Sequence, residues 1–391
     1  MARRTSLPII LSSFVLFVSC SGDDTTIGTP QVSSNGSTDD SLVGDSVPAN
    51  LDVHADEPFP AERCAANQAA GTILYLSGFD LHADASIIDV LNAESKGYYD
   101  ELCLKVEVRA SFSTDNYPLI AANDAQFASA GSFSEVVDFA GANDAGFVAL
   151  AVEGRTGIDA LITKDGEVAS LEDVRGKKIG VKGAITPSVR AMLAQAGLVL
   201  DVDYETVLLD GFDPMVHIEA PGIVGFPGYK SNEPFQLEAN NVPFKLYDPS
   251  DYDIPGSFGV IYTNVTFLQE HPTAAQDFMR ATMRGLADAV ADPDAAVQVA
   301  VDALNARGDA AFFTPEGEAA RWQVQSDLLK GAVADGAPLG LPLVDELLNE
   351  VTVYAESGLF GGEVPIIDTL LDVSVLEGVY DNAGTLIWPA S

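Results

Sequence analysis

The feature that most constrains the fold is the alternation of short apolar runs with helix-like segments between residues 71 and 264. "GTILYLSGF" (71–79) is an apolar run bounded by glycine, which predicts a buried strand. The segment after it places Ile87, Ile88, Leu91 and Tyr98 at helical intervals, with Gly97 as the predicted C-terminal stop. Strands and helices continue to alternate, which predicts an α/β fold in which helices flank the sheets.

The chain leaves this first section and later returns to it. A second section of strands and helices spans 157–256, and "SFGVIYTN" after it predicts a strand that rejoins the first section. We therefore expect lobe 1 to comprise 71–156 and 257–391, with helices at its end, and lobe 2 to comprise 157–256. This layout is typical of hinge-bending binding proteins, in which the ligand lies in a cleft between two lobes.

The N-terminus has the pattern of a targeting segment. "MARR" is a charged n-region, and "LPIILSSFVLFV" is an apolar h-region too short to span a bilayer. "FVSC" resembles a bacterial lipobox, which predicts a signal peptide over 1–20 and a lipid on Cys20. A secretory signal cut near "SCSG", without a lipid, is the alternative. Residues 21–70 are rich in Ser, Thr, Asp, Gly and Pro, which predicts a flexible acidic tether.

The net charge and the cysteines narrow the function classes. A formal net charge of −38 disfavours electrostatic binding to nucleic acid or to an anionic membrane surface. Cys64 and Cys103 each precede a predicted strand, so an exported chain favours a disulfide between them, and two buried thiols are the alternative. The 3 cysteines and 4 histidines are widely spaced, which predicts no metal site, and we expect no cofactor.

Four loops lie where open α/β sheets bind ligands, beyond the carboxyl ends of strands. Each loop also has a structural interpretation, in which its polar residues cap the following helix. The third loop, "KGAITPSV", resembles a phosphate loop but lacks the Gly-Lys-Ser/Thr ending, so nucleotide hydrolysis is not expected. The candidate binding residues, loop by loop, are Phe79, Asp80 and His82; Ser129 and Ser132; Gly183, Ile185 and Thr186; and Tyr229, Asn232 and Glu233.

These residue types suit a flat, polar solute. Phe79 and Tyr229 can stack on a ring, and Asn232 and Glu233 can hydrogen-bond its polar edge. The "KGAIT" loop can hold a carbonyl or an anionic end at a helix N-terminus. In the structural alternative, Asn232 caps a helix and Glu233 lies in its first turn.

Four stretches together resemble the periplasmic substrate-binding proteins of ABC importers. They are "ESKGYYDELCLKVEV", "LIAANDAQFASAGS", "SLEDVRGKKIGVKG" and "GYKSNEPFQLEANNVPF", and the resemblance covers roughly residues 71–300. The subgroup that they resemble includes nitrate, sulfonate and taurine binders and binders of the thiamine pyrimidine precursor. The resemblance implies a two-lobed type II periplasmic-binding-protein fold, with a mixed sheet flanked by helices in each lobe and a ligand cleft between them.

The resemblance also bears on the ligand. Binders of the pyrimidine precursor carry a Tyr-x-x-Asn-Glu-Pro turn, which this chain keeps at 229–234, and a Trp-Thr-Pro-Asn pattern, which is "FDLH" here at 79–82. We therefore expect a planar heterocycle, either the thiamine precursor or a different one such as riboflavin. A binder of a small sulfonate- or nitrate-like anion is one alternative. A secreted enzyme that uses His82, Asp84 or Glu233 as acid or base is another.

The resemblance implies a role in transport rather than catalysis. We expect a lipid-anchored monomer on the outer face of the cell membrane that captures a small solute and delivers it to an ABC permease and its ATPase. The related pyrimidine synthases need a cysteine-rich motif, which this sequence lacks. We therefore expect no enzymatic activity.

Overall fold

The computed structural model describes residues 47, 51–211, 213–308, 313–334 and 336–390. The predicted signal peptide, with Cys20, and much of the predicted tether lie outside the described residues. Within the described ranges, no helix combines the length and the apolar character that a membrane span requires.

Within the described residues, the strands form two five-stranded mixed sheets. In chain order the strands are β1 (Thr72–Leu76), β2 (Lys105–Arg109), β3 (Phe127–Ala130), β4 (Phe147–Gly154), β5 (Asp159–Lys164), β6 (Lys178–Val181), β7 (Glu205–Leu208), β8 (Gly225–Tyr229), β9 (Phe244–Tyr247) and β10 (Phe258–Asn264). The first sheet has the order β2-β1-β3-β10-β4, and the second has the order β7-β6-β8-β5-β9. The second sheet lies wholly within 157–256, and β10 returns to the first sheet antiparallel to β3 and β4.

Helices flank the sheets and form most of the chain after β10. In chain order they are α1 (Ala61–Ala69), α2 (Ile88–Ser95), α3 (Tyr98–Glu101), α4 (Ser113–Ala121), α5 (Phe133–Asn143), α6 (Pro187–Gln195), α7 (Pro214–Glu219), α8 (Glu233–Ala239), α9 (Val265–Glu270), α10 (Pro272–Ala291), α11 (Pro293–Arg307), α12 (Pro315–Ala334), α13 (Val344–Glu356) and α14 (Ser374–Glu377). Short 3₁₀ helices lie at Leu171–Val174, Pro249–Tyr252 and Leu359–Gly362. The predicted α/β alternation is confirmed.

Burial in lobe 1 explains why β10 and its neighbour β4, which is an edge strand, are mostly apolar. Every residue of β4 and β10 is buried, because helices cover both faces of the sheet. Helix α10 lies against this sheet, and its Phe278 stacks on Phe127 of β3 with ring centroids 4.0 Å apart. Tyr99 stacks on the same Phe278 ring at 5.3 Å. Aromatic stacking therefore joins the sheet to its covering helices.

The predicted tether extends too far into the fold. Helix α1 lies inside the predicted range 21–70, and its Arg63 is fully buried. The Arg63 guanidinium donates to Asp277 on α10 through Nε at 2.6 Å and Nη2 at 2.9 Å. A disulfide joins Cys64 of α1 to Cys103, the two cysteines predicted to pair. The polar composition of this stretch predicted a tether, whereas the residues that hold α1 in the fold, Asp277 above all, lie far along the chain.

We expect Arg63→Met to lower the free energy of unfolding by about 3 kcal/mol, because the substitution leaves the buried Asp277 carboxylate short of a partner. Urea unfolding followed by circular dichroism measures the change. Arg109→Met is the control, since Arg109 forms an exposed ion pair with Glu107 and should cost less than about 1 kcal/mol. An equally small effect of both substitutions would show that α1 is not an integral part of the fold.

Candidate functional site

A cleft of about 1980 Å³ is lined by loops of both lobes and by part of the C-terminal region. Seven of the predicted site residues line it: Phe79, Gly183, Ile185, Thr186, Tyr229, Asn232 and Glu233. Phe79 follows β1 of lobe 1, whereas Tyr229 ends β8 of lobe 2. The cleft therefore has aromatic residues contributed by both lobes.

The turn after β8 is held by the carboxylate of Glu233. Its Oε2 accepts a hydrogen bond from the Tyr229 backbone N–H at 2.7 Å, and its Oε1 lies 3.0 Å from Lys182 Nζ. Glu233 is buried, so these two bonds compensate for the loss of water around its charge. Each oxygen of Glu233 thus already accepts a bond from lobe 2, which favours a role in shaping the turn over direct reading of a ligand edge.

Asn232 is fixed by a residue that the sequence did not single out. Asn232 occupies the N-cap position of helix α8 and Glu233 lies in its first turn, as the structural alternative predicted, but the Asn232 side chain makes no capping bond. Instead, its Oδ1 accepts from Gln236 Nε2 at 2.8 Å and from Arg321 Nη2 at 2.6 Å. Arg321 lies on α12, also lines the cleft, and places Nη1 3.2 Å from Asp84 Oδ2 in lobe 1. Arg321 therefore bridges the two lobes.

Glu318 precedes Arg321 by one helical turn and holds the first loop of lobe 1. Its Oε1 is 2.8 Å from His82 Nδ1, and its Oε2 accepts from the Ala83 backbone N–H at 2.7 Å. Burial raises the pKa of Glu318, but the hydrogen bond with His82 and the charge of Arg321 together bring it below its ordinary value. His82 is therefore buried against α12 and does not line the cleft, whereas Asp84 and Glu233, the other two residues that the enzyme alternative named, do line it.

Gln325 extends the same face of α12 and again contacts both lobes. Its Oε1 accepts from the Ala85 backbone N–H at 2.6 Å, and its Nε2 lies 3.0 Å from Ser231 Oγ and also donates to Asp84. Residues 318, 321 and 325 lie on one helix face because of their spacing. We call Glu318, Arg321 and Gln325 the α12 polar row. It was missed because its partners lie between 89 and 241 residues away, beyond the reach of any local pattern.

Four predicted site residues do not line the main cleft. His82 bonds to the α12 polar row, and the buried Asp80 lies 3.3 Å from Arg307 Nε. Ser129 is buried in β3, where its Oγ accepts from the Gly78 N–H at 2.6 Å. Ser132 caps α5 by accepting from the Glu135 N–H, as its structural interpretation predicted. These residues shape the loops, because burial or local hydrogen bonds engage their polar atoms.

A buried acidic group lies beside the cleft. Glu135 lines both the cleft and, with Asp159, a small cavity next to it. Burial raises the pKa of Glu135 to about 7, and the charge of Asp159 adds to the shift. Burial likewise raises the pKa of Glu350 to about 7. Its Oε1 accepts from the Ser134 N–H at 3.2 Å, whereas its Oε2 has no hydrogen-bond partner in the part that the structure describes. Nowhere in the described ranges do three or more His, Cys, Asp or Glu residues form a group that could hold a metal.

A family model described as "NMT1/THI5 like" matches residues 84–296. The chain belongs to this family. A similar protein is riboflavin-binding protein RibY of Chloroflexus aurantiacus, which is 29% identical over 165 residues. The match covers 42% of this chain and 44% of RibY, so the chain aligns with less than half the length of that relative.

Solved structures similar to this family member share its two-lobed fold. One is a sulfonate ABC transporter periplasmic binding protein of Methylobacillus flagellatus, with a TM-score of 0.56, 15% identity, and coverage of 78% of this chain and 92% of that chain. Another is a Candida albicans protein described as having the generic periplasmic binding protein fold, with a TM-score of 0.54, 16% identity, and coverage of 82% and 97%. The predicted periplasmic-binding-protein fold is confirmed.

The NMT1/THI5-like match includes some parts of the site and excludes others. The "KGAIT" loop and the turn at 229–234 lie within residues 84–296, whereas Phe79 and the α12 polar row lie outside. The bridge between the lobes is therefore built by a segment beyond the family match.

We expect Glu350→Gln to reduce the pH dependence of stability between about pH 4.5 and 7. Because the pKa of Glu350 is about 7 in the folded chain and 4.5 ordinarily, the folded state keeps a proton that the unfolded state releases. Stability then falls as pH rises through this window. As the pH rises from 4.5 to 7, the free energy of unfolding of the variant should therefore increase by about 1–3 kcal/mol relative to that of the wild-type protein.

Urea unfolding across this pH window measures the effect. Glu356→Gln is the matched control, since Glu356 lies on the same helix but is exposed and should leave the pH profile unchanged. Parallel profiles for the wild-type protein and Glu350→Gln would contradict the assignment.

Proposed function

We propose that this protein is the extracytoplasmic solute-binding component of an ABC importer and that it binds a small planar heterocycle in its cleft. The observation that carries this proposal is the lining of one cleft by Phe79 from lobe 1 and Tyr229 from lobe 2. A ring between two lobes is desolvated on both faces, and polar groups at the rim fix its orientation.

The aromatic side chain of lobe 1 is held in place before any ligand arrives. The Phe79 ring stacks on His82 with centroids 4.8 Å apart and meets Phe112 edge-on at 5.8 Å. His82 is in turn bonded to Glu318 on α12. A side chain fixed in this way loses little conformational entropy when it binds a ring, which supports tight stacking.

One relative supports the heterocyclic ligand, and other relatives support the role in an ABC importer. The riboflavin-binding relative supports a heterocyclic ligand such as riboflavin, and the thiamine pyrimidine precursor is the other candidate heterocycle. The sulfonate-binding neighbours have the same fold as this chain, and one of them is described as a component of an ABC transporter. A small sulfonate- or nitrate-like anion is the second candidate ligand, because a sulfonate-binding neighbour shares the fold. The cations at the cleft, Lys182 and Arg321, are each paired with a carboxylate.

Export and anchoring complete the proposal. The N-terminal pattern "FVSC" supports cleavage before Cys20, lipid attachment to that cysteine and a location on the outer face of the membrane. The disulfide between Cys64 and Cys103 fits an oxidising compartment. The chain then acts as a monomer that delivers its solute to the permease and ATPase subunits.

We expect calorimetry to show stoichiometric binding of riboflavin or of the thiamine pyrimidine precursor by the purified full chain. Phe79→Ala and Tyr229→Ala should each weaken that binding about tenfold, because each removes one stacking face. Tyr252→Ala is the control, since Tyr252 lies in lobe 2 and is not among the cleft residues.

Native mass spectrometry of the purified chain identifies any solute that copurifies. Binding of a sulfonate alone would favour the anion candidate. Conversion of the heterocycle to a product would replace the transport role with an enzymatic one.

A further inference from the structure

We propose that Arg321 and Asn232 form an acceptor-binding corner, which holds an uncharged carbonyl oxygen on the edge of the solute ring. The cleft then selects a heterocycle with ring carbonyls over one with an exocyclic amine. This inference rests on the proposed binding function of the cleft. It assigns a ligand-binding role to a residue of α12 that lies beyond the family match.

The orientation of the Asn232 amide follows from its partner. A guanidinium group has only N–H donors, so the Asn232 atom 2.6 Å from Arg321 Nη2 must be the carbonyl oxygen Oδ1. Gln236 donates to the same oxygen. The amide nitrogen Nδ2 is left as a donor that has no hydrogen-bond acceptor among the described residues. Asn232 lines the cleft, so it offers a solute a donor.

Arg321 contributes a second donor at the same place. Its Nη1 is engaged by Asp84 and its Nη2 by Asn232, whereas its Nε is buried without a hydrogen-bond partner in the described part of the chain. The side chain of Arg321 is only 3% exposed, although the residue lines the cleft. A buried donor without an acceptor is unfavourable, and an oxygen of the solute would relieve that cost.

The charges around this corner favour a carbonyl over an anion. Arg321 lies 3.2 Å from the Asp84 carboxylate and 3.7 Å from that of Glu318, so its positive charge is already balanced. Lys182 is paired with Glu233 in the same way. A sulfonate or nitrate brought to this corner would meet three carboxylates beside two cations, whereas an uncharged carbonyl needs only the donors.

The corner also lies at the correct place relative to the stacking ring. The Arg321 guanidinium carbon is 5.5 Å from the centroid of the Phe79 ring. A solute ring that reaches Phe79 therefore also comes within reach of Arg321, which lies over that ring, and of Asn232, which is bonded to Arg321. The acceptor of the neighbouring Glu233 is already engaged by Tyr229 N–H and Lys182, so an amine edge has no comparable partner there.

Asn232→Asp tests the inference directly. Aspartate keeps an oxygen opposite Arg321 but replaces the Nδ2 donor with an acceptor. We expect the affinity for riboflavin, whose ring edge carries two carbonyls, to fall about ten- to a hundredfold. The affinity for the thiamine pyrimidine precursor, whose ring carries an amine, should be unchanged or higher. Calorimetry on the full chain gives both constants.

Asn240→Asp is the matched control, since Asn240 follows the same helix α8, is exposed and does not line the cleft. It should leave both affinities at wild-type values. Arg321→Lys is the second variant, which keeps the charge but removes Nε, and it should also lower the ratio of riboflavin to pyrimidine affinity. The ratio is the decisive readout, because general damage to the cleft would weaken both probes alike.

The outcomes separate this inference from the proposed function. If the wild-type protein binds riboflavin and neither Asn232→Asp nor Arg321→Lys changes the ratio, the acceptor corner is overturned and the cleft remains a heterocycle site. If Asn232→Asp fails to fold, Arg321→Lys decides by the same ratio. If the wild-type protein binds neither probe, the proposed function is wrong, and the inference about the acceptor-binding corner is rejected with it.

Discussion

The geometry of the cleft depends on how one C-terminal helix satisfies buried polar groups in both lobes. The α12 polar row bonds to backbone N–H groups at Ala83 and Ala85 in lobe 1 and to Ser231 and Asn232 in lobe 2. Buried polar groups are costly without partners, so these bonds strongly favour one placement of the loops. Phe79 and the turn at 229–234 take their positions in the cleft from this row.

The electrostatics of the interior differ from those of the whole chain. A formal net charge of −38 makes the chain strongly acidic. Inside the cleft, however, the carboxylates of Asp84 and Glu233 are paired with Arg321 and Lys182. Close pairing reduces the field that a solute meets, and it leaves directed hydrogen-bond donors as the means of recognition. This pairing supports our proposal that the site binds a neutral polar ring.

The prediction of the site was partly right because loops beyond strand ends follow from the order of the elements. Phe79 and Tyr229 both line the cleft because β1 and β8 are interior strands of their sheets and the carboxyl end of each strand points toward the cleft. His82 and Ser129 occupy equally suitable loop positions, yet they point into buried networks. A loop position identifies which residues come near a cleft, whereas the rotamer and the local partners decide which side chains line it.

Apolar periodicity is a local property, so the α/β alternation could be predicted from the sequence alone. The order of the predicted elements also indicated an excursion into a second lobe and a return at β10. The packing of α1 into the fold and the position of Arg321 at the cleft follow from long-range contacts instead. Arg63 finds Asp277 214 residues away, and Arg321 finds Asp84 237 residues away. Pairing over such separations depends on how the lobes pack, and no window of sequence contains both partners.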